Sequence, residues 1–171
     1  MSLAKQNFTT ASEDLLNQQI TVKYNSHYIH LSASTYFGRD NVALPGLQKY
    51  FKKLSDEEYE QVWKLIDYQN QRGGIVQLAS ISSPKTEWES AYDVVEASLS
   101  MKKETNEAFI ATSLHGREVN DPALEDFVKS NFLHREVAVI SELAHLSTQL
   151  QRVGRDKLGL YLFDQELYNR E

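Results

Sequence analysis

The chain has 171 residues, with 18 Lys and Arg against 24 Asp and Glu, so its formal net charge at pH 7 is −6. This length fits one domain, the hydrophobic content of 41% is typical of a folded globular chain, and the acidic balance disfavours binding to nucleic acid or to an anionic membrane. The absence of cysteine excludes disulfides, Cys-based zinc sites, iron–sulfur clusters and a thiol nucleophile.

The chain contains little turn-forming sequence, with only 7 Gly and 3 Pro, and no segment shows the strict alternation of a β-strand. We therefore predict a single all-α domain over 1–171, an antiparallel four-helix bundle with a short fifth helix. The predicted helices cover about 11–37, 45–72, 88–116, 122–153 and 157–167. The long connection between the second and third helices predicts a crossover along the length of the bundle.

Each long helix has a stripe of residues, spaced by three or four, that is apolar toward its ends and polar near its middle. On the first two helices the stripes are Leu16, Ile20, Lys23, His27, His30, Ser34 and Phe37, and Leu47, Phe51, Leu54, Glu58, Gln61, Leu65 and Tyr68. On the next two they are Val95, Leu99, Lys102, Asn106 and Ile110, and Leu124, Val128, Phe132, Glu136, Val139, Leu143, Leu146 and Leu150. Because a buried charge is costly unless it is paired or binds a metal, this polar belt indicates either a metal site or an ion-pair network.

Metal sites inside helical bundles often combine single glutamates with Glu-x-x-His pairs on facing helices. Glu58 and Gln61 have this spacing, but glutamine stands where the imidazole is needed. Lys23 and Lys102 stand where carboxylates would be needed, and a charged lysine has no lone pair with which to bind a metal. The belt is therefore interpreted as a metal site in which ion pairs have replaced the metal.

From about Gln19 to Asp164 the chain resembles ferritins. The resemblance rests on the segments Asp40-Asn41-Val42-Ala43-Leu44, Tyr68-Gln69-Asn70-Gln71-Arg72-Gly73-Gly74, Trp88-Glu89-Ser90, Asn120-Asp121-Pro122 and Tyr161-Leu162-Phe163-Asp164. It implies a five-helix subunit that assembles into a hollow shell of 24 copies and stores iron there as ferric mineral, without an organic cofactor.

The resemblance also implies where the ferroxidase centre of the catalytic heavy chains would lie. Its six positions fall at Lys23, His30, Glu58, Gln61, Lys102 and Glu136, and of these only Glu58 keeps the residue expected in a heavy chain. We therefore expect a non-catalytic, light-chain-like subunit whose centre has become ion pairs of Lys23 and Lys102 with Glu58 and Glu136. The alternative is an active ferroxidase with a rearranged iron site that uses Glu58, Glu136 and His30, with His27 as a further candidate ligand.

A second acidic group, Asp56, Glu57 and Glu60, lies on another face of the second helix. In ferritins the corresponding face points into the cavity, so the resemblance implies that these carboxylates nucleate ferric mineral, for which oxygen donors are suitable. The other interpretation is an ordinary solvated acidic face.

The resemblance places two ion channels as well. A three-fold channel would be lined by Asp126 and Lys129, and Lys129 would oppose the entry of Fe(II) unless its side chain pairs with Glu125. A four-fold channel would be lined by Leu158, Leu162 and Glu166. Its leucines, contributed by several subunits, would form apolar rings that restrict hydrated ions.

Together these features predict a cytoplasmic iron-storage subunit that forms its shell with a catalytic heavy-chain-type partner and binds neither nucleic acid nor membrane. A shell protein that stores little iron is a third possibility. No phosphate-binding glycine loop, nucleophile elbow or basic patch supports a hydrolase or a nucleotide-binding protein.

Overall fold

The computed structural model describes residues 2–170 and contains only helices and loops over that range. The helices are α1 (Thr10–Phe37), α2 (Pro45–Gln71), α3 (Ala91–Glu118), α4 (Pro122–Val128), α5 (His134–Val153) and α6 (Lys157–Asn169). One π-helical turn, Lys129–Leu133, joins α4 and α5 into a continuous helix. The predicted all-α fold with four long helices and a short fifth is confirmed.

The long connection between α2 and α3 runs along α1 from one end of the bundle to the other. Asn17, near the start of α1, donates a hydrogen bond to the carbonyl of Ile75 (3.0 Å). At the far end Arg39 pairs with Glu87 (2.6 Å), and Tyr36 donates to the carbonyl of Trp88 (3.2 Å). The connection therefore delivers the start of α3 to the end of α1, as its length suggested.

Most predicted helix ends differ from the observed ends by one or two residues, and the largest difference is at the start of α3. Trp88 lies in the loop, because the side chain of Ser90 caps the helix by accepting a hydrogen bond from the backbone N–H of Asp93 (3.2 Å). The buried face of α3 was also placed incorrectly. Ile110 is 42% exposed, whereas the neighbouring Phe109 is fully buried.

The physical reason is the helical repeat. Steps of three and four must alternate to hold one face of a helix with 3.6 residues per turn, and the predicted stripe used too many steps of four. The buried face of α3 is formed by Val95, Ser98, Lys102, Thr105, Phe109 and Thr112. On α1 the predicted stripe, which alternates steps of three and four, included His27; that residue is only half-buried, while Ser26 is buried.

The core consists of two hydrophobic clusters with a charged layer between them. One cluster packs the end of α1 against the start of α2 and includes Phe37, Phe51 and Leu143. The other cluster packs the opposite end of the bundle and includes Leu16 and Phe109. The apolar ends and polar middles of the helices thus coincide in space.

Helix α6 is anchored to the bundle by a cap that it supplies to α2. The first residues of α2 receive no capping bond from the side chain of Leu44. Instead, the buried carboxylate of Asp164 accepts hydrogen bonds from the backbone N–H groups of Gly46 (2.9 Å) and Leu47 (2.8 Å). Position 46 must be glycine, since a Cβ there would lie 2.0 Å from the carbonyl oxygen of Asp164. None of the helices in the described residues is both long and apolar enough to cross a membrane.

Candidate functional site

Four charged side chains meet in the layer between the two hydrophobic clusters, one from each long helix of the bundle. They are Lys23 of α1, Glu58 of α2, Lys102 of α3 and Glu136 of α5, and we call them the buried tetrad. None is more than 3% exposed. Full burial of four ionised groups is tolerated only where each finds an opposite charge.

The tetrad is an alternating ring in which each ammonium group contacts both carboxylates. Lys23 Nζ lies 2.5 Å from Glu136 Oε1 and 2.8 Å from Glu58 Oε2. Lys102 Nζ lies 2.7 Å from Glu136 Oε1 and also contacts Glu58 Oε1. Two positive and two negative charges are therefore balanced within the ring.

The π-helical turn sets the position of Glu136. Successive steps of four residues drift off one face of an α-helix, but the wider π turn absorbs that drift by including an extra residue. Val128, Phe132 and Glu136 consequently all point inward. Phe132 stacks on Phe109 at 4.5 Å between ring centroids, and this pair forms the floor beneath the Lys23 ammonium group, which is 5.2 Å from the Phe109 ring.

The charges of the tetrad support one another. Burial by itself would raise the pKa of Glu58, but the ammonium groups of Lys23 and Lys102 outweigh burial and lower that pKa to about 2. Burial would likewise lower the pKa of Lys102, yet the carboxylates of Glu58 and Glu136 raise it above its ordinary value. At neutral pH Glu58 is therefore a carboxylate and Lys102 an ammonium group.

His30 lies beside the tetrad as a neutral side chain. It is fully buried, and burial lowers its pKa to about 3, although Glu58 acts in the opposite direction. Its Nε2 forms a hydrogen bond with Ser98 Oγ (2.7 Å). Sequence reasoning missed Ser98, which the corrected spacing on α3 would have revealed because it lies one turn before Lys102.

The other predicted neighbours of the centre do not complete a metal site. His27 bonds through Nδ1 to the carbonyl of Ser55 (2.8 Å), at the edge of the α1–α2 contact. Gln61 is 8% exposed and provides an amide in place of an imidazole. No group of three or more His, Asp or Glu side chains within 2–170 has the arrangement of a metal site. Within the tetrad both carboxylates are engaged by lysine ammonium groups, which have no lone pair with which to bind a metal.

Acid should unfold the protein partly through His30. Its folded-state pKa of about 3 lies below the ordinary value of 6.5, so the unfolded chain gains a proton that the folded chain does not take up between these values. Stability should fall as the pH drops through this window, by up to about 1.4 kcal/mol per pH unit. The lowered pKa of Glu58 adds a loss below about pH 4.5.

The measurement is chemical unfolding at a series of pH values between 3 and 6.5, the window that the His30 pKa defines. His30→Gln should reduce the slope of the unfolding free energy against pH in this window by the equivalent of up to one bound proton. His134→Gln, at an exposed position, should leave that slope unchanged. Equal slopes in the wild type and both variants would contradict a neutral His30.

The candidate nucleation residues lie on the outward side of α2 and are partly paired. Asp56 is exposed and bonds to Lys52 (2.7 Å). Glu57 bonds to Arg135 (2.7 Å), which also reaches Glu142. Glu60 is exposed and forms no ion pair with any other described residue. Arg135 was not anticipated from the sequence, because it comes from α5.

The candidate channel residues lie on α4, at the start of the π-helical turn and on α6, and all but the half-buried Lys129 are exposed. Lys129 Nζ lies 2.5 Å from Glu125 Oε1, the pairing expected to weaken a cationic barrier to Fe(II). Arg117 contacts the same oxygen atom at 2.7 Å, so this carboxylate is shared between two cations. Asp126 is exposed. On α6, Leu158 and Leu162 are 65% and 58% exposed, and Glu166 pairs with Arg170 at 2.7 Å.

The helical bundle and its central belt define a ferritin-like protein, and comparison with known proteins agrees. The sequence model of the ferritin-like domain matches residues 13–153. Ferritin-1, chloroplastic, of Brassica napus is 44% identical over 98% of this chain and 68% of that protein. Ferritin-2, chloroplastic, of Zea mays is 43% identical over 97% and 68%, and a ferritin of Pacifastacus leniusculus is 37% identical over 91% and 86%.

The chain belongs to the ferritin family, and the family's iron storage is thereby supported. The expectation of a cytoplasmic protein is wrong on these comparisons. Relatives from Brassica napus, Vigna unguiculata, Glycine max and Zea mays are named chloroplastic ferritins. The error has a simple cause: composition and charge describe how a chain behaves in water and carry no information about the compartment.

Proposed function

We propose that this chain is a non-catalytic, light-chain-like ferritin subunit, which stores iron in a shell while another subunit oxidises Fe(II). The buried tetrad carries the proposal. Two Fe(II) ions would need several anionic or neutral ligands, and here each available carboxylate already contacts two ammonium groups. Binding iron would require the ejection of two lysines from a fully buried layer.

The alternative, a ferroxidase with a rearranged site, is favoured by one observation. The Nδ1 atom of His30 and the Oε2 atom of Glu136 are buried and have no hydrogen-bond partner among the described residues. Both could act as ligands if Lys23 and Lys102 moved aside. The energetic cost of that movement is the reason for ranking this function second.

Aerobic addition of Fe(II) to the iron-free homopolymer, followed by stopped-flow absorbance, separates the two functions. The non-catalytic subunit should show only slow oxidation that does not saturate with iron, while iron is still retained in the particle. A fast phase that saturates at a fixed number of irons per chain would contradict the proposal and would favour the site built on Glu58, Glu136 and His30.

We propose that the exposed carboxylates of α2 nucleate the ferric mineral. Glu60 is the best candidate, because Asp56 and Glu57 are engaged by Lys52 and Arg135. Oxygen donors suit ferric iron. Glu57→Gln together with Glu60→Gln should slow mineral growth several-fold without changing assembly, as followed by light scattering and retained iron.

The matched control is Glu107→Gln, which removes an exposed carboxylate from α3. Equal slowing by Glu107→Gln and by the α2 variant would show that net charge, and not a local site, governs mineral growth. Unchanged growth in both variants would favour the ordinary solvated face.

We also propose the assembly of the family, a shell of 24 subunits in which a catalytic heavy-chain-type partner takes part. Exposed apolar side chains on α6, such as Leu158 and Leu162, support burial against other subunits, since a helix of 13 residues is marginal alone. These residues with Glu166 would line the four-fold channel. In the three-fold channel, Asp126 would attract Fe(II), while the Lys129 ammonium group is held by Glu125, which also pairs with Arg117.

For location, the names of the relatives support a plastid protein. Subcellular fractionation with an antibody to this chain tests that proposal directly.

A further inference from the structure

A groove of about 450 Å³ lies between α2, α5 and α6, away from the buried tetrad. Its floor is apolar and includes the buried side chains of Leu146 and Leu167. Its volume is within the range of small-molecule binding sites, which are typically apolar concavities with a few convergent polar groups.

The rim of the groove is basic. Lys49 and Lys53 are one turn apart on α2, so their side chains share a face, and Arg170 lies just beyond α6. Within residues 2–170, no carboxylate lies within 4.0 Å of the ammonium group of either lysine. The one acidic residue of the lining, Glu142, is already engaged by Arg135 (3.0 Å).

Two polar side chains of the lining, Lys49 and His145, are held in place by backbone carbonyls. Lys49 Nζ donates to the carbonyls of Tyr168 (3.0 Å) and Arg170 (3.3 Å), which leaves a third N–H available. His145 Nδ1 donates to the carbonyl of Ser141 (2.7 Å), because a carbonyl can only accept, so Nε2 of the neutral ring carries a lone pair and can only accept a hydrogen bond. A donor held in place as Lys49 Nζ is loses little side-chain entropy when an anion binds.

We propose that this groove binds a small tetrahedral oxyanion of the phosphate type. Two ammonium groups on one face, neither of them paired with a carboxylate of residues 2–170, favour a multiply charged anion, and lysine serves phosphate as a point charge. The lining also contains an unused acceptor, since Gln149 Oε1 is buried without a hydrogen-bond partner among the described residues. Hydrogen phosphate carries an O–H that can satisfy an acceptor at neutral pH, whereas sulfate does not.

Calorimetric titration of inorganic phosphate into the iron-free assembled protein at pH 7 tests the proposal. Saturable binding at one phosphate per chain is expected, with weaker binding of sulfate. Lys53→Ala should weaken phosphate binding about tenfold or more, because a charge-assisted hydrogen bond is lost. No hydrogen bond or ion pair within the described range involves the Lys53 side chain, so this variant should fold normally.

Two controls separate a site from general electrostatics. Lys52→Ala removes a charge from the same helix outside the groove lining, and Lys103→Ala removes an exposed charge on α3. Both should bind phosphate as the wild type does. Absence of saturable binding, an equal loss in all three variants, or equal affinity for sulfate and phosphate would each overturn the proposal. The titration uses no iron, so its failure would leave the storage function untouched.

Discussion

Rebuilding the heavy-chain pattern around Glu58 should create rapid, saturable Fe(II) oxidation in a subunit that we propose to be non-catalytic. The variant combines five changes, Lys23→Glu, His30→Tyr, Gln61→His, Lys102→Glu and Glu136→Gln. They remove both ammonium groups and provide the carboxylates and imidazole of a two-metal site. Stopped-flow absorbance after aerobic mixing should show a fast phase that saturates near two irons per chain.

The intermediate variants make this test sharper. Lys23→Glu alone places three carboxylates against one lysine and should give neither a stable protein nor a fast phase. Lys103→Glu, on the exposed side of α3, makes the same change of charge without touching the centre and should behave as the wild type. A complete variant that folds and assembles but oxidises iron no faster than the wild type would show that the tetrad is not the remnant of a ferroxidase centre.

Removal of one member of the tetrad should destabilise the subunit strongly. Lys23→Met leaves Lys102 facing two buried carboxylates, and an uncompensated buried charge costs about 3–5 kcal/mol. Lys23→Met combined with Glu136→Met removes one charge of each sign and should recover most of that loss. The free energy of unfolding from denaturant titration, arranged as a double-mutant cycle, gives the coupling between the two side chains.

The matched control for this prediction is an exposed ion pair. The side chains of Lys52 and Asp56 are 66% and 59% exposed. Lys52→Met breaks their contact and should lower the free energy of unfolding by less than about 1 kcal/mol. If Lys23→Met costs no more than Lys52→Met, the lysines of the tetrad are not held as buried charges, and iron could displace them.

The sequence alone was sufficient for the fold and for the composition of the central layer. Scarce glycine and proline implied long helices, and the stripes on the second and fourth predicted helices matched the buried faces of α2 and of α4 to α5. A charged residue at the middle of each stripe implied a shared layer, because helices of similar length in a bundle bring their middles to one level.

Some details could not follow from periodicity, since a stripe defines a face only to within part of a turn. The sequence therefore could not tell that Ser26 rather than His27 is buried on α1. It also could not show that Ser98 bonds to His30, because that contact depends on how α3 is rotated against α1.

The sequence by itself determined which charges lie in the central layer, because they interrupt the apolar stripe on the inner face of each long helix. The tertiary structure alone decided which atoms those charges contact. Each lysine of the tetrad touches both glutamates, Asp164 caps a helix 118 residues away in sequence, and the basic groove gathers side chains from three helices. Such contacts depend on distances between helices and on the rotamers that packing selects, neither of which the order of residues along one helix contains.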